Sequence, residues 1–238
     1  MYTTLQKNVL LSTILCLLCL HGNIFLQEPD TTEKNNIKKY IPKKFDFSPL
    51  TFLSEQQKQE HYVLYTKYVE KLNEIRSKLP QAQRAPGPTY SEFRSLKIAE
   101  TFALNGALLH ELYFENIIGK KNKKINSNLK RLILENFDSI EEYLKDLKDC
   151  AACTRGWAIT GFSLHENAIY NFVLDAHNET VPAMTIPLVV IDAYEHAYMI
   201  DFGIDRATYL NEVFAHLQWD IIEKRISNYS RLTISLKD

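Results

Sequence analysis

The apolar run Ile186-Pro187-Leu188-Val189-Val190-Ile191 leads directly into Asp192-Ala193-Tyr194-Glu195-His196-Ala197-Tyr198. A short run rich in β-branched residues reads as a buried strand, and a buried strand needs a sheet with other elements covering it. An Asp at the end of such a strand and a His four positions on can converge on one point in space. Both are first-choice ligands for a transition metal. The same spacing also fits a helix N-cap followed by a surface His, so the rest of the chain has to decide.

Upstream, residues 54–78 read as a helix opened by Leu53-Ser54-Glu55 and closed by Pro80. His61, Tyr65, Tyr68 and Leu72 recur at helical spacing along it and share one face, a pattern that also suits plain core packing. Residues 81–89, with Pro86 and Pro88, form a loop. A second helix spans 91–118 and stops at Gly119, a natural residue after a helix C-terminus, with lysines beyond it that suit the helix's negative end. Phe102, Gly106, His110 and Phe114 form one stripe, and Gly106 lets a neighbour approach closely. Two helices that each turn a His inward make a hairpin able to offer two imidazoles to one ion, although a lone His on an apolar stripe also fits a satisfied core residue.

Further amphipathic helix follows over 127–149, through Leu129, Leu132, Ile133 and Phe137, with Asp138-Ser139 capping 140–147. After Gly156 the period changes. Residues 157–160 and 168–174 read as strands joined by a turn at His165-Glu166-Asn167, then come a loop over 175–184, the 186–191 strand and one helix over 206–226. The predicted fold class is α+β: a helical hairpin domain over 46–123, then a C-terminal α/β domain over 124–238 with a small, mostly antiparallel three-stranded sheet.

The 238 residues carry 28 Lys and Arg against 29 acids, and a net charge of −1 offers nothing for nucleic acid. Lys7 precedes an apolar stretch over 9–20, broken only by Ser12 and Thr13 and followed by His21-Gly22-Asn23. This layout predicts a secretory signal over 1–22, and hence export to the periplasm or exterior. The stretch is too short for a stable membrane span, an uncleaved anchor being the alternative. Residues 23–45, polar and charged with Pro29 and Pro42, read as a linker. Cys16 and Cys19 fall inside the signal. Cys150 and Cys153, in Cys-Ala-Ala-Cys, are open to reading as a redox dithiol, a bridge formed after export, or small residues at a helix end, the last favoured because no thioredoxin-like βαβ pattern surrounds them.

Over residues 54–225 these segments resemble the iron/manganese superoxide dismutase family. The 186–198 stretch resembles its D-x-W-E-H-A-[FY] signature. Arg206-Ala207-Thr208-Tyr209-Leu210, with Trp219 nine residues beyond Leu210, fits its Arg, Tyr-Leu, Trp pattern. Phe102-Ala103-Leu104-Asn105-Gly106-Ala107-Leu108-Leu109-His110, continuing to Phe114, resembles its second-ligand helix; Gly156-Trp157-Ala158 its first strand; His61 and Tyr68-Val69 its first-ligand helix. The resemblance implies an enzyme that converts superoxide to oxygen and hydrogen peroxide at a mononuclear iron or manganese site, one ion per subunit, held by His61, His110, Asp192 and His196. Three imidazoles and a carboxylate, with coordinated water or hydroxide as fifth ligand, suit either metal. The ion must alternate between trivalent and divalent states, at a potential set by hydrogen bonds to the coordinated solvent.

Gly106 stands where iron enzymes often carry Gln, so the resemblance points to His177, in Asp175-Ala176-His177-Asn178, as the outer donor, a surface loop His being the other reading. It further implies Tyr68 as the gate and proton relay, Arg206 as a source of positive potential, and Glu195 as a bridge to His196 of the partner subunit in a homodimer. The chain also departs from the family pattern. His61 and Tyr68 are seven positions apart where many members have eight, so an ungapped match on Tyr68-Val69 would put Glu60 in the ligand slot; seven steps keep one helical face and imidazole is the family ligand, which favours His61. Tyr194 replaces the usual Trp, Met199 an interface Tyr, and Thr154-Arg155 the small residues before Gly-Trp, while Phe114 and Ile159 stand where other aromatics are common, so the choice of metal does not carry over. The alternative function is a metal-binding or structural secreted protein on this fold without turnover. A zinc hydrolase would call for His-Glu-x-x-His, which the sequence lacks.

Overall fold

The computed structural model describes residues 39–84, 89–121, 124–125 and 127–235. The expected signal, Cys16 and Cys19, and the linker up to residue 38 lie outside them. Helix α1 (Glu55–Lys78) ends in a 3-10 turn at Leu79–Gln81 and pairs with α2 (Glu92–Ile117) as the expected hairpin. Serine side chains start both: Ser54 Oγ accepts from Gln57 N at 3.1 Å and Ser91 Oγ from Arg94 N at 3.1 Å. Ser139 does the same for α4 (Ile140–Cys153), which follows α3 (Ser127–Leu134). Cys150 and Cys153 are free thiols in the last turn of α4, and burial pushes the Cys150 thiol up to about 11.

The sheet has the order β2-β1-β3, with β1 (Trp157–Ser163), β2 (Ala168–Leu174) and β3 (Thr185–Asp192) pairing antiparallel throughout. Strand β1 runs three residues past the expected end. Gly161 would ordinarily weaken a strand interior, but the Thr185 methyl and the Phe172 ring lie over it, occupying the space a Cβ would take. Trp157 stands opposite Leu174 on one side and Asp192 on the other. The open edge of β3 is closed by side chains: Asn116 Nδ2 donates to Val190 O at 3.1 Å, and Arg225 Nη1 donates to Leu188 O.

After β3 come a 3-10 turn (Glu195–Ala197), the short α5 (Met199–Phe202), α6 (Arg206–His216) and α7 (Trp219–Ser235). The single helix expected over 206–226 is thus two. Leu217 leaves helical geometry at ψ 124, and Gln218 N donates to Asn116 O at 2.7 Å. No Gly or Pro marks the break; a carbonyl in the last turn of α2 needs a donor and takes it from there. Gly119 likewise differs from expectation. It does not adopt the left-handed conformation of a helix terminator, and its lack of a side chain instead makes room for the Gln218 amide.

Residues 39–45, expected as the end of a linker, form a strap on the hairpin. Tyr40 N donates to Asn73 Oδ1 and Asn73 Nδ2 to Tyr40 O, both at 2.8 Å, while Lys43 N donates to Tyr65 Oη at 2.7 Å. The main apolar core lies beneath hairpin and sheet together, including Tyr65, Phe114, Trp157, Val190 and Trp219, and a smaller second cluster gathers Leu72, Ile75, Leu79 and Ala103. None of the described helices is long and apolar enough to cross a membrane.

At Gly106 the α2 backbone is met directly by a ring from α1. A Cβ there would lie 2.8 Å from Cδ1 of Tyr68, so the ring rests on the α2 backbone. Gly106→Ala is expected to lose about 1–3 kcal/mol by overpacking, despite alanine's better helix propensity. Urea titration of both proteins checks this, and an unchanged or higher midpoint would contradict it.

Candidate metal centre

Four side chains from four elements of the chain meet at the end of the sheet where β1 begins. His61 comes from α1, His110 from α2, Asp192 from the last residue of β3 and His196 from the 3-10 turn, and their potential ligand atoms all lie within 4.8 Å of one another. Asp192 Oδ2 is 3.1 Å from His61 Nε2, 3.1 Å from His196 Nε2 and 3.7 Å from His110 Nε2. The His110 tautomer follows from its surroundings. Nδ1 lies 2.6 Å from the Gly106 carbonyl, which can only accept, so Nδ1 carries the proton and Nε2 the lone pair. That Nε2 is buried without a hydrogen-bond partner among the described residues, as is His61 Nδ1. A buried lone pair facing a carboxylate and two further imidazoles is costly unless something positive sits between them. The residues fit a metal ion.

The electrostatics agree. Burial drives His61 and His110 below the usual histidine value, so both are neutral donors, His110 most strongly. Burial raises the Asp192 carboxyl, but His196 and His61 outweigh it and hold the group ionised. Burial works against charge on His196 too, yet the Asp192 carboxylate leaves it above its ordinary value. The carboxylate is held from behind: Oδ1 accepts from Tyr194 N at 3.0 Å, and its backbone carbonyl accepts from Tyr209 Oη at 2.8 Å, itself 2.8 Å from Tyr113 Oη.

His177 is buried beside this cluster. Trp157 Nε1 can only donate, and it donates to His177 Nδ1 at 2.9 Å. The neutral ring therefore carries its proton on Nε2, which lies 2.7 Å from Tyr68 Oη. Burial lowers His177 to about 4, and burial followed by the Asp192 charge raises Tyr68 to about 12. The His177 shift makes a pH prediction. Its folded value lies below its unfolded value of about 6.5, so the unfolded chain binds more protons between pH 6.5 and 4, and the contribution to stability, complete above that window, is lost as pH falls through it. His177→Gln is expected to flatten the fall of the urea midpoint across this window. A curve parallel to that of the parent would contradict the burial argument.

The other expected residues fall as follows. Glu60 is exposed and accepts from Gln56 Nε2, so it stands outside the cluster and His61 fills the position. Phe102, on the expected α2 stripe, lies at the rim against His177, with ring centroids 4.5 Å apart. Arg206 Nη2 donates to Ala151 O and Thr154 O, both at 2.7 Å, at the C-terminal end of α4. Glu195 is exposed. Sequence reasoning missed Gln57, which is fully buried one turn before His61; a glutamine in a polar stretch gives no sign of burial. It also missed the part played by Tyr113 and Tyr209 behind Asp192.

Comparison with known proteins points the same way. The sequence profile of the C-terminal domain of iron/manganese superoxide dismutases matches residues 125–225. Iron superoxide dismutases of Aquifex aeolicus and Aquifex pyrophilus are each 36% identical over 191 residues, covering 78% of this chain and 90% of their own. A manganese superoxide dismutase of Halobacterium salinarum is 27% identical over 116 residues, 49% of this chain and 58% of its own. Identity of this degree over nearly the whole of the Aquifex proteins, with the four donor side chains brought to one point by the fold, settles the kinship: this chain belongs to the iron/manganese superoxide dismutase family.

Proposed function

We propose that the protein is a superoxide dismutase, with His61, His110, Asp192 and His196 holding one iron or manganese ion per subunit. The observation that carries this is the buried, unpartnered His110 Nε2 facing Asp192 and two further imidazoles, beside a neutral His177 bonded to Tyr68. When bound, the ion supplies a one-electron couple, so that two superoxide anions and two protons become one oxygen and one hydrogen peroxide. The chain's own residues manage the protons. Trp157 fixes the proton of His177 on Nε2, that N–H donates to Tyr68 Oη, and the phenol is left free to present its own proton to a reduced oxygen species. With its pKa raised to about 12, Tyr68 stays protonated at neutral pH. Arg206 pairs with no carboxylate among the described residues, so its charge contributes to the field that attracts an anion.

An open cleft of about 390 Å³ borders the centre, lined by Glu60, His61, Leu64, Glu195, His196, Met199 and Ile200. Met199 and Ile200 are 46% and 43% exposed, which supports a homodimer in which Glu195 reaches His196 of the partner subunit. The apolar run over 9–20 supports export. The test is elemental analysis of protein purified without added metal, followed by a dismutation assay and sedimentation. Iron or manganese near one per chain with dismutation supports the reading and identifies the metal. Bound metal without dismutation would leave the non-catalytic alternative.

A further inference from the structure

Gln57 has no exposed surface, and both ends of its amide are used across a long stretch of sequence. Nε2 donates to His196 O at 2.6 Å, and Oε1 accepts from Ile200 N at 3.2 Å. The first of these backbone groups lies inside the 3-10 turn Glu195–Ala197, which has no side-chain cap of its own, and the second in α5 just after it. Ser54, at the start of the same helix, adds a third tie: its N donates to Asp201 Oδ2 at 2.6 Å. Within one chain, Asp192 is the one side-chain hydrogen-bond partner of the His196 ring among the described residues. Tyr194 stacks on that ring at 5.1 Å between centroids and limits its tilt, while the backbone beneath it sets where the ring starts from and hence the reach of Nε2.

We propose that Gln57 is a positioning residue of the metal centre, clamping the backbone of His196 to the helix that carries His61. Gln57 and His61 are one helical turn apart, so the helix that presents one imidazole also fixes the distance to the other. The chemistry requires an amide. An apolar side chain would leave a buried carbonyl and a buried N–H unpaired, and a carboxylate would satisfy Ile200 N while repelling His196 O. The inference rests on the metal-binding reading of the same four side chains, and goes beyond it in assigning this side chain the placement of His196.

The test uses the full chain with the metal it acquires, comparing the parent with Gln57→Met, which keeps the volume and removes the amide, and Gln57→Glu, which keeps only the acceptor. Three quantities are read: the rate of metal loss to a chelator, the visible absorption band of the metal centre, and the urea midpoint of the metal-stripped protein. Both variants are expected to lose metal about 10-fold faster or more, within the range for outer partners of metal ligands, with a shifted absorption band. Unchanged chelator kinetics and absorption in either variant overturn the proposal, even if its urea midpoint falls, because Gln57 would then be merely structural. A variant that does not fold leaves the other to decide, and if neither folds while the parent does, Gln57 is structural and the proposal is overturned. A parent that takes up neither iron nor manganese and does not dismutate overturns the proposed function, and with it this inference; a parent that does both beside unchanged variants overturns this inference alone.

Discussion

Replacing Asp192 with Asn is expected to lower metal retention and dismutation by more than about 100-fold, beyond the upper end of what losing an outer partner costs. The substitution is nearly isosteric and leaves the supports of the side chain in place. An Asn Oδ1 can still accept from Tyr194 N, and the backbone carbonyl still accepts from Tyr209 Oη. What changes is charge. His61 and His110 are neutral by burial, so Asp192 is the anion of the cluster, and an amide oxygen in its place compensates a divalent or trivalent cation poorly. His196 also loses the carboxylate that raises it. Metal analysis and dismutation on folded variant check this together. Metal retained at the parental level would show that Asp192 is not a ligand.

Arg225→Met is expected to bring the largest loss of stability. Arg225 is 8% exposed and its guanidinium joins three elements: Nη1 donates to Asn116 Oδ1 at 3.0 Å and to Leu188 O, and Nη2 to Glu115 Oε2 at 2.9 Å. Methionine can occupy the space but leaves these acceptors without their donor. Two of them, Asn116 Oδ1 and Leu188 O, are buried, and each buried acceptor left unpaired costs about 1–3 kcal/mol. Glu115 is 31% exposed and keeps Lys43, so the total expected is about 3–5 kcal/mol. In a domain of this size that lowers Tm by about 6–20 °C. Arg225→Lys should recover only part of the loss, because an ammonium cannot serve three acceptors in the planar arrangement of the fork. Calorimetry of both variants decides; a Tm for Arg225→Met within about 2 °C of the parent, under 1 kcal/mol at this size, would contradict the account.

Local signals made much of this fold readable. Serine before a periodic run marked the start of α1, α2 and α4, and the β-branched run before Asp192 marked β3. His61, His110 and Asp192 were legible as polar residues on an otherwise apolar face or at a strand end, and His196 by its spacing four positions beyond Asp192. Glu60 and His61 could not be separated by spacing, since adjacent residues differ by 100° around a helix and only the packed neighbours show which faces inward. The rest was invisible for a common reason. The break at Leu217, the strap over 39–45 and the burial of Gln57 each depend on a hydrogen bond to a distant residue: Gln218 to Asn116, Tyr40 to Asn73, Gln57 to His196. Such partners leave no periodicity in either segment.

Trp157 opens the middle strand, opposite Asp192 on one side and Leu174 on the other, while its indole grips His177 three positions beyond Leu174. The strand residue that ends in the four-donor cluster and the His177–Tyr68 pair are thereby both tied to a single residue of a single strand. A slip of β1 against either neighbour would displace Asp192 and His177 in the same stroke. Anyone retuning this protein through its sheet will find that the two cannot be adjusted one at a time.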